Sequence, residues 1–211
     1  MNTKKLRNTL LIALALVAVC LTSVFGTLAY LKATQSVSNT FSVGDIAMKL
    51  DETDVDNGGR TETGNDYKLI PGTTYVKDPT VTITANSEAC YVRVLVTVTN
   101  ASAWENAFGI TAGNLALSDI SSDINANWTF VAKTTNGTND TATFEYRYNA
   151  VVALSATDTV LPAVFETITV PGTADAAGLA ALANAHIDVV ANAMQSQGFA
   201  DADAAWASFG A

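Results

Sequence analysis

Ten consecutive residues, Cys90–Thr99, constrain this chain more than any other part of it. Their even positions hold Cys90, Val92, Val94, Val96 and Val98, while Arg93, Thr97 and Thr99 fall on odd ones. Successive side chains of an extended chain point to opposite faces, so this pattern predicts a strand with one face in a core. Residues 80–85 alternate in the same way, with Val81 and Ile83 against Thr80, Thr82 and Thr84. Asn86-Ser87 supplies turn chemistry between the two. Residues 142–148 and 164–170 carry the same signal, the first preceded by Asn136-Gly137 and Asn139-Asp140. Short strands separated by turns predict an all-β sandwich or barrel rather than a parallel sheet.

Composition narrows the function classes. The 211 residues include 11 Lys+Arg against 20 Asp+Glu, a formal charge of -9. Binding nucleic acid requires a basic face that neutralises phosphates, so no nucleic-acid partner is expected. A single histidine, His186, excludes any site built on paired histidines.

The chain begins with the marks of export. Lys4, Lys5 and Arg7 precede an almost wholly apolar run over residues 9–24, and Thr27-Leu28-Ala29 places small residues at -3 and -1 of a cleavage site. The expected signal peptide, a leading signal helix, is residues 1–29, with the cut after Ala29 or one residue later after Tyr30. An uncleaved anchor is the alternative, because residues 9–31 approach the roughly 20 residues that span a bilayer. Cleavage would leave 8 basic and 20 acidic residues, a charge of -12 over 182 residues, with Cys90 as the sole cysteine. No intramolecular disulfide is then possible, and stability must come from a packed core.

The region behind the signal changes parity. Val37, Phe41 and Val43 are odd, whereas Ile46, Met48 and Leu50 are even, which puts a bulge or break at Gly44-Asp45. Residues 51–66 are polar, with Gly58, Gly59 and Gly64, and are expected to form a loop. Residues 174–185 are rich in Ala and Leu and predict a helix. Residues 186–195 return to β-branched side chains and predict a strand, and Asp201 is placed to cap a short last helix.

Several stretches carry a resemblance. Gly26-Thr27-Leu28-Ala29-Tyr30-Leu31 and Asn39-Thr40-Phe41-Ser42-Val43-Gly44 resemble the export region of proteins processed by the SipW-type signal peptidase. Pro71-Gly72-Thr73, Lys77-Asp78-Pro79-Thr80-Val81, Tyr91-Val92-Arg93-Val94 and Ala193-Met194-Gln195-Ser196-Gln197-Gly198-Phe199 resemble later parts of the same pattern. The family is the TasA/camelysin group of exported matrix proteins of Gram-positive bacteria, and residues 100–160 match it little. The resemblance implies a jelly-roll-like β-sandwich over residues 30–211, with one or two short helices, that polymerises into extracellular biofilm matrix or cell-surface fibres. It implies donor-strand complementation, in which the leading strand of one subunit completes the sheet of the next. The expected partners are further copies of the chain and an accessory matrix or anchoring subunit, besides the signal peptidase. Residues 30–43 fit the donor role, with Val37, Phe41 and Val43 as the buried set and Gly44 as the hinge. The alternative is an ordinary first strand pairing within its own domain.

Other chemistry is weaker. Camelysin-type proteins are described as metalloendopeptidases, yet His186 lies in Ala185-His186-Ile187-Asp188, without the two-histidine helix motif such sites use. Cys90 leads an apolar strand face and reads as a buried thiol. No enzyme activity and no cofactor are expected. Asp51, Asp54 and Asp56, on a Gly-containing stretch, are the one calcium candidate, but Asn65 stands where a bidentate Glu would be wanted. A solvated acidic loop is the alternative there. Trp104, Trp128, Trp206, Tyr146 and Tyr148 would serve a monomeric adhesin or carbohydrate-binding module if they were exposed, and core packing if not.

Overall fold

The computed structural model describes residues 44–209. Ten strands and four short helices are set there: β1 (Met48–Thr53), β2 (Arg60–Thr61), β3 (Thr74–Val76), β4 (Thr80–Ile83), β5 (Cys90–Thr99), α1 (Ala101–Phe108), α2 (Leu117–Ile120), β6 (Trp128–Asn136), β7 (Thr141–Tyr148), β8 (Thr159–Val160), β9 (Thr167–Thr169), α3 (Ala176–Ala181), β10 (Ile187–Gln195) and α4 (Ala202–Ala207). The fold is mostly β, with antiparallel sheets packed against each other. One sheet has the order β2-β1-β4-β8 and the other β10-β5-β7-β6, with β3 and β9 paired as a small third sheet.

The alternation in β5 is realised in full. Cys90, Val92, Val94, Val96 and Val98 are buried, and the residues between them are half-buried. The register carries this face across the sheet: Val94, Val96 and Val98 lie opposite Tyr146, Phe144 and Ala142 of β7. On the other side they lie opposite Ala191, Val189 and Ile187 of β10. Val81 and Ile83 of β4 join these side chains in one core. The turn at Asn86, whose φ of 64° suits asparagine, therefore does not close a hairpin; it carries the chain from one sheet to the other.

Four sequence expectations need correction. The helices number four among the described residues, not one or two. Residues 51–66 are not a simple loop: Asp51, Glu52 and Thr53 complete β1, and Glu52 and Thr53 pair with Thr61 and Arg60 as a hairpin. The strand expected over residues 164–170 shrinks to Thr167–Thr169, although Val164 and Phe165 are fully buried. Those two serve the core from irregular backbone, where the Val164 N–H bonds the Pro79 carbonyl at 3.2 Å. The helix expected over residues 174–185 is only six residues long, capped by Asp175, whose carboxylate accepts the Gly178 N–H at 2.7 Å. The last helix begins as expected, with the Asp201 carboxylate accepting the Ala204 N–H at 2.9 Å.

Helix α1 has a less local cap. Asn100, in the N-cap place, is left-handed and makes no side-chain cap bond. Asp140 supplies it instead, from the β6–β7 turn, accepting from Ser102 N at 3.0 Å and Ser102 Oγ at 2.6 Å.

Candidate functional site

The sheet β10-β5-β7-β6 ends in two long strands. Among the described residues, β6 pairs only with β7, and β10 only with β5. Both are nine residues long. A strand paired on one side leaves its outward N–H and C=O groups free to template another chain.

The two edges differ. A register shift between Phe130 and Ala132 bulges β6, and a bulge twists an edge away from further pairing. Phe130, 51% exposed, rests its ring 5.6 Å from that of Tyr146. Lys133 is tied down by the Gly113 and Leu115 carbonyls at 2.9 and 2.6 Å. Strand β10 has an unbroken register from Ile187 to Gln195. The Thr99 N–H bonds the His186 carbonyl and the Ser196 N–H bonds the Ala89 carbonyl, at 3.0 and 2.8 Å. Antiparallel hydrogen-bonded pairs recur every second residue, so the even residues of β10 bond β5. The N–H groups of Ile187, Val189, Ala191 and Ala193 then face the open side.

A cleft of about 900 Å³ lies beside the first residues of β10. Its apolar part includes Leu69, Trp104, Ile168, Leu179, Leu182 and Ile187, and its acidic part Asp54, Asp56, Asp66 and Asp188. Lys77, its one lysine, is held at 2.9 Å by the Glu52 carboxylate, and both side chains are more than nine-tenths buried. The remaining Glu52 oxygen accepts from Asn65 Nδ2 at 3.0 Å. The Trp104 indole N–H is buried and has no partner among the described residues.

Next to this pair runs a second charged chain. Asp51 accepts from Lys49 at 2.8 Å and from Arg60 Nε, and Arg60 reaches Asp78 Oδ2 at 3.0 Å. Asp78 also accepts Thr53 N–H and Oγ1 at 2.6 and 2.8 Å. Burial alone would raise the Asp51 and Asp78 carboxyls, but these donors more than reverse it and hold both below the ordinary value. Burial, reinforced by the Glu52 charge, pushes the Tyr67 phenol up to about 12.

The residues singled out from sequence are scattered. Val37, Phe41 and Val43 lie outside the described residues, as do residues 1–29. Gly44 is described: a Cβ there would come within 2.7 Å of the Glu88 side chain, so only glycine fits unaltered. Asp51 is buried and committed to Lys49 and Arg60. Asp54 Oδ1 accepts the N–H groups of Asp56 and Asn57 in its own turn, at 3.0 and 2.8 Å. Among the described residues no three His, Cys, Asp or Glu side chains converge as a metal would require. Trp104, Trp128, Trp206 and Tyr146 are buried rather than displayed as a sugar platform. Cys90 is fully buried, and burial raises its thiol to about 11. His186 is exposed on the cleft, one residue before β10.

Sequence reasoning missed the Glu52–Lys77 pair and the Asp51–Arg60–Asp78 chain. Only the mixture of Asp, Glu, Lys and Arg in residues 49–78 hinted at them, and their pairing depends on β1, β2 and β4 meeting. Comparison with family models, with curated proteins and with solved structures found no match.

Proposed function

We propose that this chain is a secreted structural subunit, a jelly-roll-like sandwich that assembles head to tail into extracellular matrix or cell-surface fibres. Assembly proceeds by strand addition: the leading segment, residues 30–43, of one copy pairs with an open sheet edge of the next. The observation that carries this reading is the pair of nine-residue edge strands, β6 and β10, each hydrogen-bonded on one side only among the described residues. Main-chain bonds along such an edge give affinity in proportion to length, and alternate side chains give specificity. A heterologous contact of this kind does not close on itself and propagates as a filament. The export signal and the resemblance to the TasA/camelysin group support the same reading. It assigns the chain no catalytic residue and no cofactor.

The test is electron microscopy of the protein purified after export. Filaments are expected from the intact processed chain. Removal of residues 31–43 should abolish them while circular dichroism still reports the folded sheet. Single particles at every concentration from the intact chain would refute the proposal.

A further inference from the structure

We infer that Lys77 and Asn65 are the two ends of an intramolecular amide cross-link whose formation Glu52 catalyses. This is a self-modification of the folded chain, and it does not depend on the fibre reading.

One carboxylate holds both reacting groups. Glu52 Oε2 accepts from Lys77 Nζ at 2.9 Å, and Glu52 Oε1 accepts from Asn65 Nδ2 at 3.0 Å. Lys77 is the one buried lysine among the described residues, and Glu52 is buried with it. An ion pair kept for stability alone needs only the amine and the acid. Here the same acid also presents a primary amide, the group that an amine converts into a secondary one.

The amide is oriented for attack at its carbon. Asn65 Nδ2 is fixed between Glu52 Oε1 and the Thr53 carbonyl, the latter at 2.8 Å, while Asn65 Oδ1 accepts the Val55 N–H at 3.0 Å. The nitrogen that must leave therefore touches the acid that protonates it. The oxygen that gains charge in the tetrahedral intermediate touches a fixed backbone donor. Gly64, at a φ of 80° that favours glycine, turns the chain so that Asn65 reaches back to β1.

The reaction balances without a cofactor. The Lys77 ammonium passes a proton to Glu52 along their hydrogen bond, and the lone pair freed on Nζ attacks Asn65 Cγ. The Cγ–Nζ bond forms as the carbonyl π electrons move onto Oδ1, beside the Val55 N–H. Glu52 gives its proton to Nδ2 and takes the surplus proton from Nζ. Oδ1 reforms the carbonyl, the Cγ–Nδ2 bond breaks, and ammonia takes the last proton from Glu52 and departs as ammonium. Lys77 and Asn65 both line the cleft of about 900 Å³, which gives the ammonium a way out. Holding amine, amide and acid together in one fold replaces the activation that a free amide would need. The bond ties the loop behind β2 to the residue that follows β3, and a cross-link of this kind restricts the unfolded chain.

The test is mass spectrometry of the exported, processed chain, denatured before measurement. The chain should be lighter than its sequence by one ammonia. Trypsin, which cuts after Arg60, Lys68 and Arg93, should release residues 61–68 joined to residues 69–93, uncut at Lys77. Glu52→Gln keeps the size but cannot carry the proton, and Lys77→Arg keeps the charge but cannot react; each should show its full mass and no joined peptide. Circular dichroism checks that both fold. Should they not, Asn65→Ala, which leaves the Lys77–Glu52 pair in place, serves instead and should also show its full mass. A wild-type chain still at full sequence mass after prolonged incubation at neutral pH overturns the inference. Loss of ammonia with residues 61–68 released free overturns it too, because it puts the loss at a cyclised asparagine such as Asn57 or Asn136, each followed by glycine. A joined peptide that survives in Glu52→Gln overturns the role given to Glu52. Micrographs of the same preparation decide filament formation separately.

Discussion

The inner face of β5 and β7 and the inner end of β1 are both buried strand surface, yet opposite physics holds them. Val92, Val94, Val96, Phe144 and Ala142 fill the first with apolar side chains that pack against each other. Asp51, Glu52 and Lys77 occupy the second, each more than nine-tenths buried and each paired. Apolar burial is non-directional and tolerates small shifts. A buried charge pair is stable only while every member keeps its partner, because an orphaned charge bears the full desolvation cost. The fold therefore joins a robust sheet to a conditional corner, and the cleft lies at that corner.

The comparison can be broken most directly in the apolar sheet. Phe144→Ala should lower the unfolding free energy by about 4 kcal/mol through lost transfer energy and a cavity. Urea denaturation measures it, and the dependence of stability on acid pH should keep the wild-type slope.

Lys77→Met should cost about 3 kcal/mol, since it leaves the Glu52 carboxylate buried with only Asn65 to bond it. The double variant Glu52→Leu with Lys77→Met should recover most of that loss. A double variant as unstable as the single one would show that packing, not charge pairing, governs the corner.

Acid separates the two regions next. The Asp51 and Asp78 carboxyls lie below their ordinary value of 3.8 in the fold, with burial opposed and outweighed by Lys49, Arg60 and Thr53. Their contribution is complete above that value and disappears as pH falls through the lower folded values. Thermal melts should thus decline below about pH 4, and Asp51→Asn should flatten the decline.

Asp201→Ala should cost about 1 kcal/mol, because it removes only the cap on Ala204 N. The smallest effect expected is none: iodoacetamide at pH 8 should leave Cys90 unmodified in the native protein and alkylate it in urea. The thiol is fully buried and, for the same reason, titrates only near 11.

Legibility followed the same division. Strands β5 and β7 were readable because alternation is a property of neighbours in sequence, and burial in the fold follows it; β10 was readable from its β-branched residues instead, and its burial alternates only as far as Ala191. The caps at Asp175 and Asp201 were local for the same reason, although only Asp201 was recognised as one. The residues of the corner looked like a solvated loop because nothing near Glu52 in sequence announces Lys77, which lies beyond β2 and β3. Asp140 as the cap of α1 is the same case, since its target is 38 residues earlier. The candidate site was not legible: the cleft and the open edge of β10 depend on strand order, which no local pattern announces.

The sequence by itself determined that this chain makes half-buried antiparallel strands with a Val-rich core, because side-chain period and turn chemistry act over a few residues. Only the tertiary structure decided which strand lies at an edge, which charges are buried, and that a cleft forms beside Ile187. Those depend on strand order and register, which bring residues far apart in sequence within a few ångströms of each other.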